Sequence, residues 1–130
     1  MSEPLENNAL ETEQAYRLSV SNRAFAFAMA QLTAGYPEAE ISSWERQRAE
    51  AVAWGDDPSV LTPWIDVAAQ TRDIPRAEFL ARTLDKVNKF AFASAYLIGM
   101  RQGIEDAIAQ AQTPGAVAAI FIDYTLPEAE

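Results

Sequence analysis

The sequence predicts an all-α protein, a small bundle in which a long helix in the C-terminal half lies antiparallel to the N-terminal helix, with two shorter helices crossing between them. Long stretches of good helix-forming residues contain no proline. Proline and glycine cluster instead around residues 35–37, 55–63 and 73–75, where helices are expected to end and begin. Apolar residues recur every three or four positions, which is the period of a helix.

The N-terminal helix is expected over residues 10–34, after a polar and acidic stretch at residues 1–9 that we expect to be flexible. In the middle of this helix the segment "AFAFAMA", residues 24–30, is apolar nearly all round. A helical segment that is apolar on all sides is hard to bury completely within a small domain. We therefore assign Phe25 and Phe27 to a surface that binds a partner protein or a second copy of the chain.

The stretch "GYPEAEISSWERQRAEAVAWGDDP" contains the signals for a second helix. Gly35 stands where a left-handed residue would end the first helix, and Pro37 suits a first helical position. Ser42 followed by Glu45 has the spacing of a capping box. The second helix is therefore expected to begin at Pro37 or after Ser42 and to reach Trp54.

A third, short helix is expected after the break at residues 55–58. Thr62 followed by Pro63 is typical of a helix N-cap and first helical position, and the helix should continue to about Thr71. Residues 73–75, Asp-Ile-Pro, predict the next break.

The longest helix is expected from residue 75 to about residue 112, where only two glycines interrupt good helix formers. A seam of residues spaced by four and three predicts its buried face: Leu80, Leu84, Val87, Ala91, Ser94 and Ile98. Beyond Ile98 the seam meets Arg101 and Glu105, so the apolar stripe is expected to shift to Ile104 and Ile108. Thr113 and Pro114 signal a last short helix. The helical domain is thus placed at residues 10–120, with a C-terminal tail at 121–130 that could be extended and pair as a strand if a partner supplied one.

The composition argues against several classes of function. The chain has no cysteine and no histidine, and it carries a net charge of −9. It therefore lacks thiolates, soft metal ligands and the usual general base, and it shows no basic patch for nucleic acid. No serine-nucleophile motif, phosphate-binding loop or apolar run of membrane-spanning length is present. We predict a non-enzymatic protein without catalytic, cofactor-binding or metal-binding residues, which binds neither nucleic acid nor membranes.

The aromatic residues are the remaining sequence feature that bears on function. Trp44 and Trp54 are ten residues apart, so on one helix they lie about 80° apart around the axis. Packing in the core is the favoured interpretation of both, although tryptophan is also frequent at binding hot spots. Tyr36 and Gln47 are more polar and are the better candidates for contact with a partner. The candidate partner-binding residues are Tyr36, Trp44, Gln47, Trp54, Phe25 and Phe27.

Four segments in this order resemble the helical C-terminal region of tail fibre assembly proteins of bacteriophages and prophages: "AGYPEAEISSWERQRAEAVAW", "TPWIDVAAQTRD", "FLARTLDKVNKF" and "GMRQGIEDAIAQAQTP". The resemblance covers roughly residues 20–120 and consists in the order and spacing of the matching residues. The matching features are Tyr36-Pro37, Glu40, Ser43-Trp44, Gln47, Glu50-Ala51, Thr62-Pro63, Ile65, Ala69, Arg72, Gly99 and Arg101-Gln102.

This resemblance implies a chaperone that binds the distal part of a phage tail fibre protein until the fibre trimer is complete, in the cytoplasm of the host bacterium. The β-rich segment that often precedes this region in the family is missing from the sequence. If that segment holds the fibre in longer relatives, this protein either holds the fibre with its helices or has another role. Two alternatives remain open. One is a structural subunit of a phage tail or tail tip, located in the virion, and the other is an acidic phage inhibitor of a basic host protein.

Overall fold

The computed structural model describes the backbone of residues 3–128 and the side chains of residues 8–128. Over this part of the chain the protein is all-α, as the sequence predicts, and no strand is present. The helices are α1 (Glu3–Thr33), α2 (Glu38–Ser42), α3 (Trp44–Asp56), α4 (Pro63–Arg72), α5 (Arg76–Gln110) and α6 (Pro114–Ala118).

Helix α1 begins at Glu3, earlier than the predicted start near residue 10. Residues 3–9, which were assigned to a flexible N-terminus, are therefore helical, and residues 1 and 2 lie outside the described part of the chain. Pro4 falls in the first turn, where a missing backbone N–H removes no intrahelical hydrogen bond. The polar composition of the segment was thus compatible with a helix.

The chain forms two compact units. The first combines the residues through Leu32 with those from Ala93 onwards, and the second is Thr33–Phe92. Helix α5 belongs to both units, since it runs without interruption from Arg76 to Gln110. The expectation of a single domain over residues 10–120 stays a prediction, because two compact units can still unfold together.

In the first unit, α1 lies antiparallel to the second part of α5. Gln14 Nε2 donates to the carbonyl of Ile108 at 2.9 Å, and Arg101 Nη1 donates to Asn22 Oδ1 at 3.0 Å. Moving forward along α1 therefore means moving backward along α5. Between them lies a core of four buried residues with their partly buried neighbours: Leu97, Ile104, Ile108 and Tyr124.

In the second unit, α3, α4 and the first part of α5 share a smaller core. Its fully buried residues are Ala51, Ile65 and Leu80. Trp54 and Trp64 are partly buried and pack against it. Three buried aliphatic residues thus form the centre of this core, and partly buried aromatic side chains pack around them.

The predicted seam on α5 is correct at its start and wrong towards its end. Leu80 is fully buried and Leu84 packs against the same core, but Ile98 is 40% exposed. The buried stripe runs instead through Ala93 and Leu97, and beyond them it reaches Ile104 and Ile108, as predicted. The single period assumed from Leu80 to Ile98 fails because the helix serves two cores, and the register of the buried face changes where the helix passes from one unit to the other.

Two helix starts differ from their predicted caps. The chain makes a short helix at Glu38–Ser42 and a new one from Trp44, so Ser43 rather than Ser42 precedes α3, and neither forms the predicted capping box. Thr62 precedes Pro63 at the start of α4 as predicted, but its hydroxyl donates to Asp66 Oδ1 at 2.9 Å and does not cap the helix. Thr113 does cap α6, since its side chain accepts from the N–H of Ala116.

Candidate protein-binding surface

An apolar groove of about 850 Å³ lies open to solvent in the first unit. One wall is the outer face of α1, and the other is the C-terminal tail. Leu97 of α5 lies between them. The lining residues are Val20, Arg23, Ala24, Phe27, Ala28, Gln31, Leu32, Leu97, Asp123, Tyr124, Thr125 and Leu126.

The predicted aromatic pair of α1 is divided between the core and this groove. Two residues of helix correspond to about 200° around the axis, so Phe25 and Phe27 point to nearly opposite sides. The ring of Phe25 packs edge-on against Tyr124, with centroids 5.8 Å apart. Phe27 is 70% exposed and lines the groove. Of the two, Phe27 is therefore the one that presents most of its ring to solvent.

The tail that forms the second wall has neither helical nor strand structure from Ile120 to Glu128. Its side chains alternate in exposure, as in an extended chain. Ile122 and Leu126 pack on the core and Tyr124 is buried, whereas Phe121 is 80% exposed. The alternation "IFIDYTL" is visible in the sequence and is the signal that could have identified this wall.

Two hydrogen bonds fix the tail to α1. The hydroxyl of Tyr124 lies 2.6 Å from Ser21 Oγ, and both side chains are buried. Nearer the start of the tail, Arg17 Nη2 donates to the carbonyl of Ile120. These contacts hold one edge of the groove in place. Sequence reasoning missed Ser21, Arg17 and Tyr124, because none of them belongs to a recognisable motif.

A local turn on the outer side of the tail shapes the same wall. Asp123 Oδ1 accepts hydrogen bonds from the backbone N–H of Thr125 at 2.9 Å and from its hydroxyl at 2.6 Å. The bond from the hydroxyl, followed by that from the N–H, lowers the pKa of the Asp123 carboxyl below its usual value. Asp123 is therefore a fixed negative charge at the edge of the groove at neutral pH.

In the second unit, two of the predicted partner-binding residues meet in a partly exposed aromatic cluster. The rings of Tyr36 and Trp44 pack edge-to-face at 5.1 Å between centroids, and Trp44 packs against Phe90 at 6.1 Å. Tyr36 and Phe90 are 41% and 39% exposed. Gln47 lies one turn after Ser43 on the same side and donates to its Oγ at 2.9 Å.

The remaining candidate, Trp54, packs against the core of the second unit and is not brought into this cluster. The favoured interpretation of Trp54 as a packing residue therefore fits its position, whereas Trp44 has both a packing role and accessible surface. Contact with a partner remains a prediction for all of these residues. Phe90 joins the cluster although no motif singled it out.

A buried carboxylate supports the second unit. Glu50 of α3 is 8% exposed, and its two carboxylate oxygens accept from the backbone N–H groups of Trp64 at 3.0 Å and Ile65 at 2.8 Å. These N–H groups lie in the first turn of α4, where they have no acceptor within their own helix. Glu50 therefore caps a neighbouring helix, which is a structural role for this buried carboxylate.

Within the described residues, no group of three or more aspartate or glutamate side chains lies close enough together to hold a metal ion. No described helix combines the length and apolar character needed to cross a membrane.

Comparison with known proteins gives one partial match. A family model described as the HI1402 helical domain matches residues 85–121, which include the second part of α5, all of α6 and the start of the tail. No curated protein and no solved structure matches the chain. Over residues 85–121, less than a third of its length, the chain is therefore similar to the HI1402 helical domain.

Proposed function

We propose that this protein is a non-enzymatic binding protein that assists the assembly of a bacteriophage tail fibre by holding a segment of a tail fibre protein. The observation that carries the proposal is the open apolar groove beside Phe27. Large exposed apolar surfaces on small proteins usually mark a site of interaction. The groove has a wall that is fixed by buried hydrogen bonds, so it is present before a partner arrives.

The charge of the first unit supports a role in which apolar surface stays in contact with water. Residues 1–32 and 93–130 contain nine aspartates and glutamates and three arginines. A strong net charge keeps molecules with an exposed apolar groove from associating with each other. A protein that binds an apolar segment transiently needs both an exposed apolar groove and a high net charge.

The identity of the partner rests on the resemblance in order and spacing over roughly residues 20–120. The aromatic cluster of Tyr36, Trp44 and Phe90 lies in the part of the chain that carries several of the matching features. It offers a second, smaller surface with the aromatic composition of binding hot spots.

The proposal is tested by producing the chain together with the tail proteins encoded beside it and measuring the yield of soluble fibre trimers. Mass spectrometry of purified particles is the second measurement. A chain that raises the trimer yield and is absent from the particles has the proposed function. A fixed, symmetric copy number in the particles would instead identify a structural tail subunit, and binding only to a basic host protein would identify an inhibitor.

A matched pair of variants connects the activity to the groove. Phe27→Ala removes the most exposed aromatic side chain of the groove, and Leu61→Ala removes an apolar side chain of the second unit that is 86% exposed. We expect Phe27→Ala to weaken fibre binding about tenfold or more, as loss of a hot-spot aromatic does, and Leu61→Ala to leave it unchanged. Equal binding by both variants would rule out the groove as the site.

A further inference from the structure

We propose that the groove binds an extended segment of the partner protein, which adds as a β-strand alongside residues 121–126 of the C-terminal tail. This inference rests on the proposed function only in taking the occupant to be a protein. It specifies the conformation and the chemistry of the segment that fits.

The main chain of the tail provides the first argument. Within the described part of the chain, the backbone N–H groups of residues 121–124 donate no hydrogen bond, and that of Thr125 bonds only to the neighbouring Asp123 side chain. An extended chain with free N–H and C=O groups is a template on which another strand can pair. A bound helix would leave these groups unpaired, because its own backbone groups are already bonded to each other.

The position of the groove provides the second argument. It lies directly against residues 123–126, and its opposite wall is apolar at Ala24, Phe27 and Ala28. In a strand, alternate side chains point to the same face. A strand paired with the tail would therefore place every second side chain in the groove, which is the arrangement that gives specificity in strand addition.

Charge gives the third argument and defines the polar side chains of the segment. Of the three arginines in the first unit, Arg17 is bonded to the tail and Arg101 pairs with Glu105 at 3.1 Å. The third, Arg23, lines the groove, as does Asp123. The nine carboxylates of residues 1–32 and 93–130 are thus in large excess. The fitting segment has apolar residues at alternate positions and lysine or arginine among the others.

The test uses the full-length protein and a display library of random short peptides as the probe. We expect the selected peptides to alternate apolar and polar residues, to be rich in lysine or arginine, and to lose binding to the Phe27→Ala variant. Peptides with apolar residues at helical spacing, peptides that bind Phe27→Ala undiminished, or a library that yields no binder would each overturn the inference.

N-methylation of the selected peptide then tests the backbone pairing directly, without any change in the protein. A methyl group removes one N–H donor of the peptide. If the peptide pairs as a strand, methylation at every second position should weaken binding at least about fivefold, and methylation at the intervening positions should have little effect. A uniform effect, or none, contradicts strand pairing. Hydrogen exchange should also slow at alternate amides of residues 121–124 when the peptide binds.

The two proposals can fail separately. Strand-type peptides with an alternating N-methyl effect, together with no binding of the tail fibre protein, would support strand addition and refute the proposed function. Fibre binding that depends on Phe27, together with no alternating effect, would support the proposed function and refute strand addition.

Discussion

The hydroxyl of Tyr124 in the C-terminal tail and Oγ of Ser21 in α1 lie 2.6 Å apart in a buried setting, although 103 residues separate them in the sequence. The ring of Tyr124 also packs edge-on against Phe25 of the same helix. One residue thus joins the tail to α1 by a hydrogen bond and by apolar contact. The position of the groove wall depends on this connection.

Removing the tyrosine hydroxyl should destabilise the first unit. Tyr124→Phe leaves Ser21 Oγ buried without this partner, so the free energy of unfolding should fall by about 1–2 kcal/mol in urea denaturation. Ser21→Ala should have a smaller effect, and the double variant should lose less than the sum of the two. Tyr16→Phe is the control, because Tyr16 is 61% exposed. Equal stabilities of the Tyr124→Phe and Tyr16→Phe variants would show that the bond contributes nothing.

Loss of the Glu50 carboxylate should weaken α4. Glu50→Ala removes both acceptors from the N–H groups of Trp64 and Ile65 and leaves these groups unpaired, so we expect a loss of about 2 kcal/mol or more in the free energy of unfolding. Glu45→Ala is the matched control, since Glu45 is exposed and its ion pair with Arg48 is worth little. Amide exchange should accelerate at the start of α4 in Glu50→Ala alone.

The hydroxyl of Thr125 should control the acidity of Asp123. Thr125→Ala removes the bond that lowers the Asp123 pKa most, so this pKa should rise towards the ordinary value of 3.8 in an NMR titration of the carboxyl carbon. Ser59→Ala is the control: it should raise the pKa of Asp57, which Ser59 lowers in the same way, and leave that of Asp123 unchanged. A shift of both carboxyls in either variant would contradict the local origin of the effect.

The direction of the pH dependence follows from these lowered values. A carboxyl whose pKa is lower in the folded state stabilises the fold above the unfolded pKa, and this contribution is lost as the pH falls through the folded pKa. The local bonds of Asp57 and Asp123 should therefore be intact at neutral pH and break only below about pH 4. The exchange rate of the Thr125 amide, taken relative to its intrinsic rate at the same pH, should rise in that range.

The two tryptophans of α3 should differ in their contribution to stability. Trp54 packs against the core of the second unit, so Trp54→Ala should lower the free energy of unfolding by about 3–5 kcal/mol. Trp44 packs edge-on against two partly exposed rings, and Trp44→Ala should cost about 1–3 kcal/mol. The reverse order in denaturant unfolding would show that the aromatic cluster, rather than the core, holds this unit together.

Helix positions were largely predictable because the signals are local. The Pro-Gly groups predicted the ends of α1, α3 and α4, and Thr113-Pro114 predicted α6 together with its cap. The first residue of α1 and the capping residues of α3 and α4 were not predictable, since several nearby residues are suited to begin or cap each helix. Glu50, for example, caps α4 from a neighbouring helix.

The candidate surface was predictable only in part. The sequence identified Phe25 and Phe27 as too apolar for an ordinary surface, and Tyr36 and Trp44 as unusual aromatic residues. It could not decide which of the two phenylalanines is exposed, because that depends on which face of α1 meets α5 and the tail. It also gave no reason to place Phe90 beside Trp44.

By itself, the sequence determined an all-α fold with a long helix antiparallel to the first one, because helix propensity, spacing and end signals are properties of neighbouring residues. Tertiary structure alone decided that α5 changes its buried face between two cores, that Tyr124 reaches Ser21, and that Phe27 lines a groove closed on one side by the tail. Each of these depends on contacts between residues far apart in the chain, where the choice of partner is made by packing and by the pairing of buried polar groups.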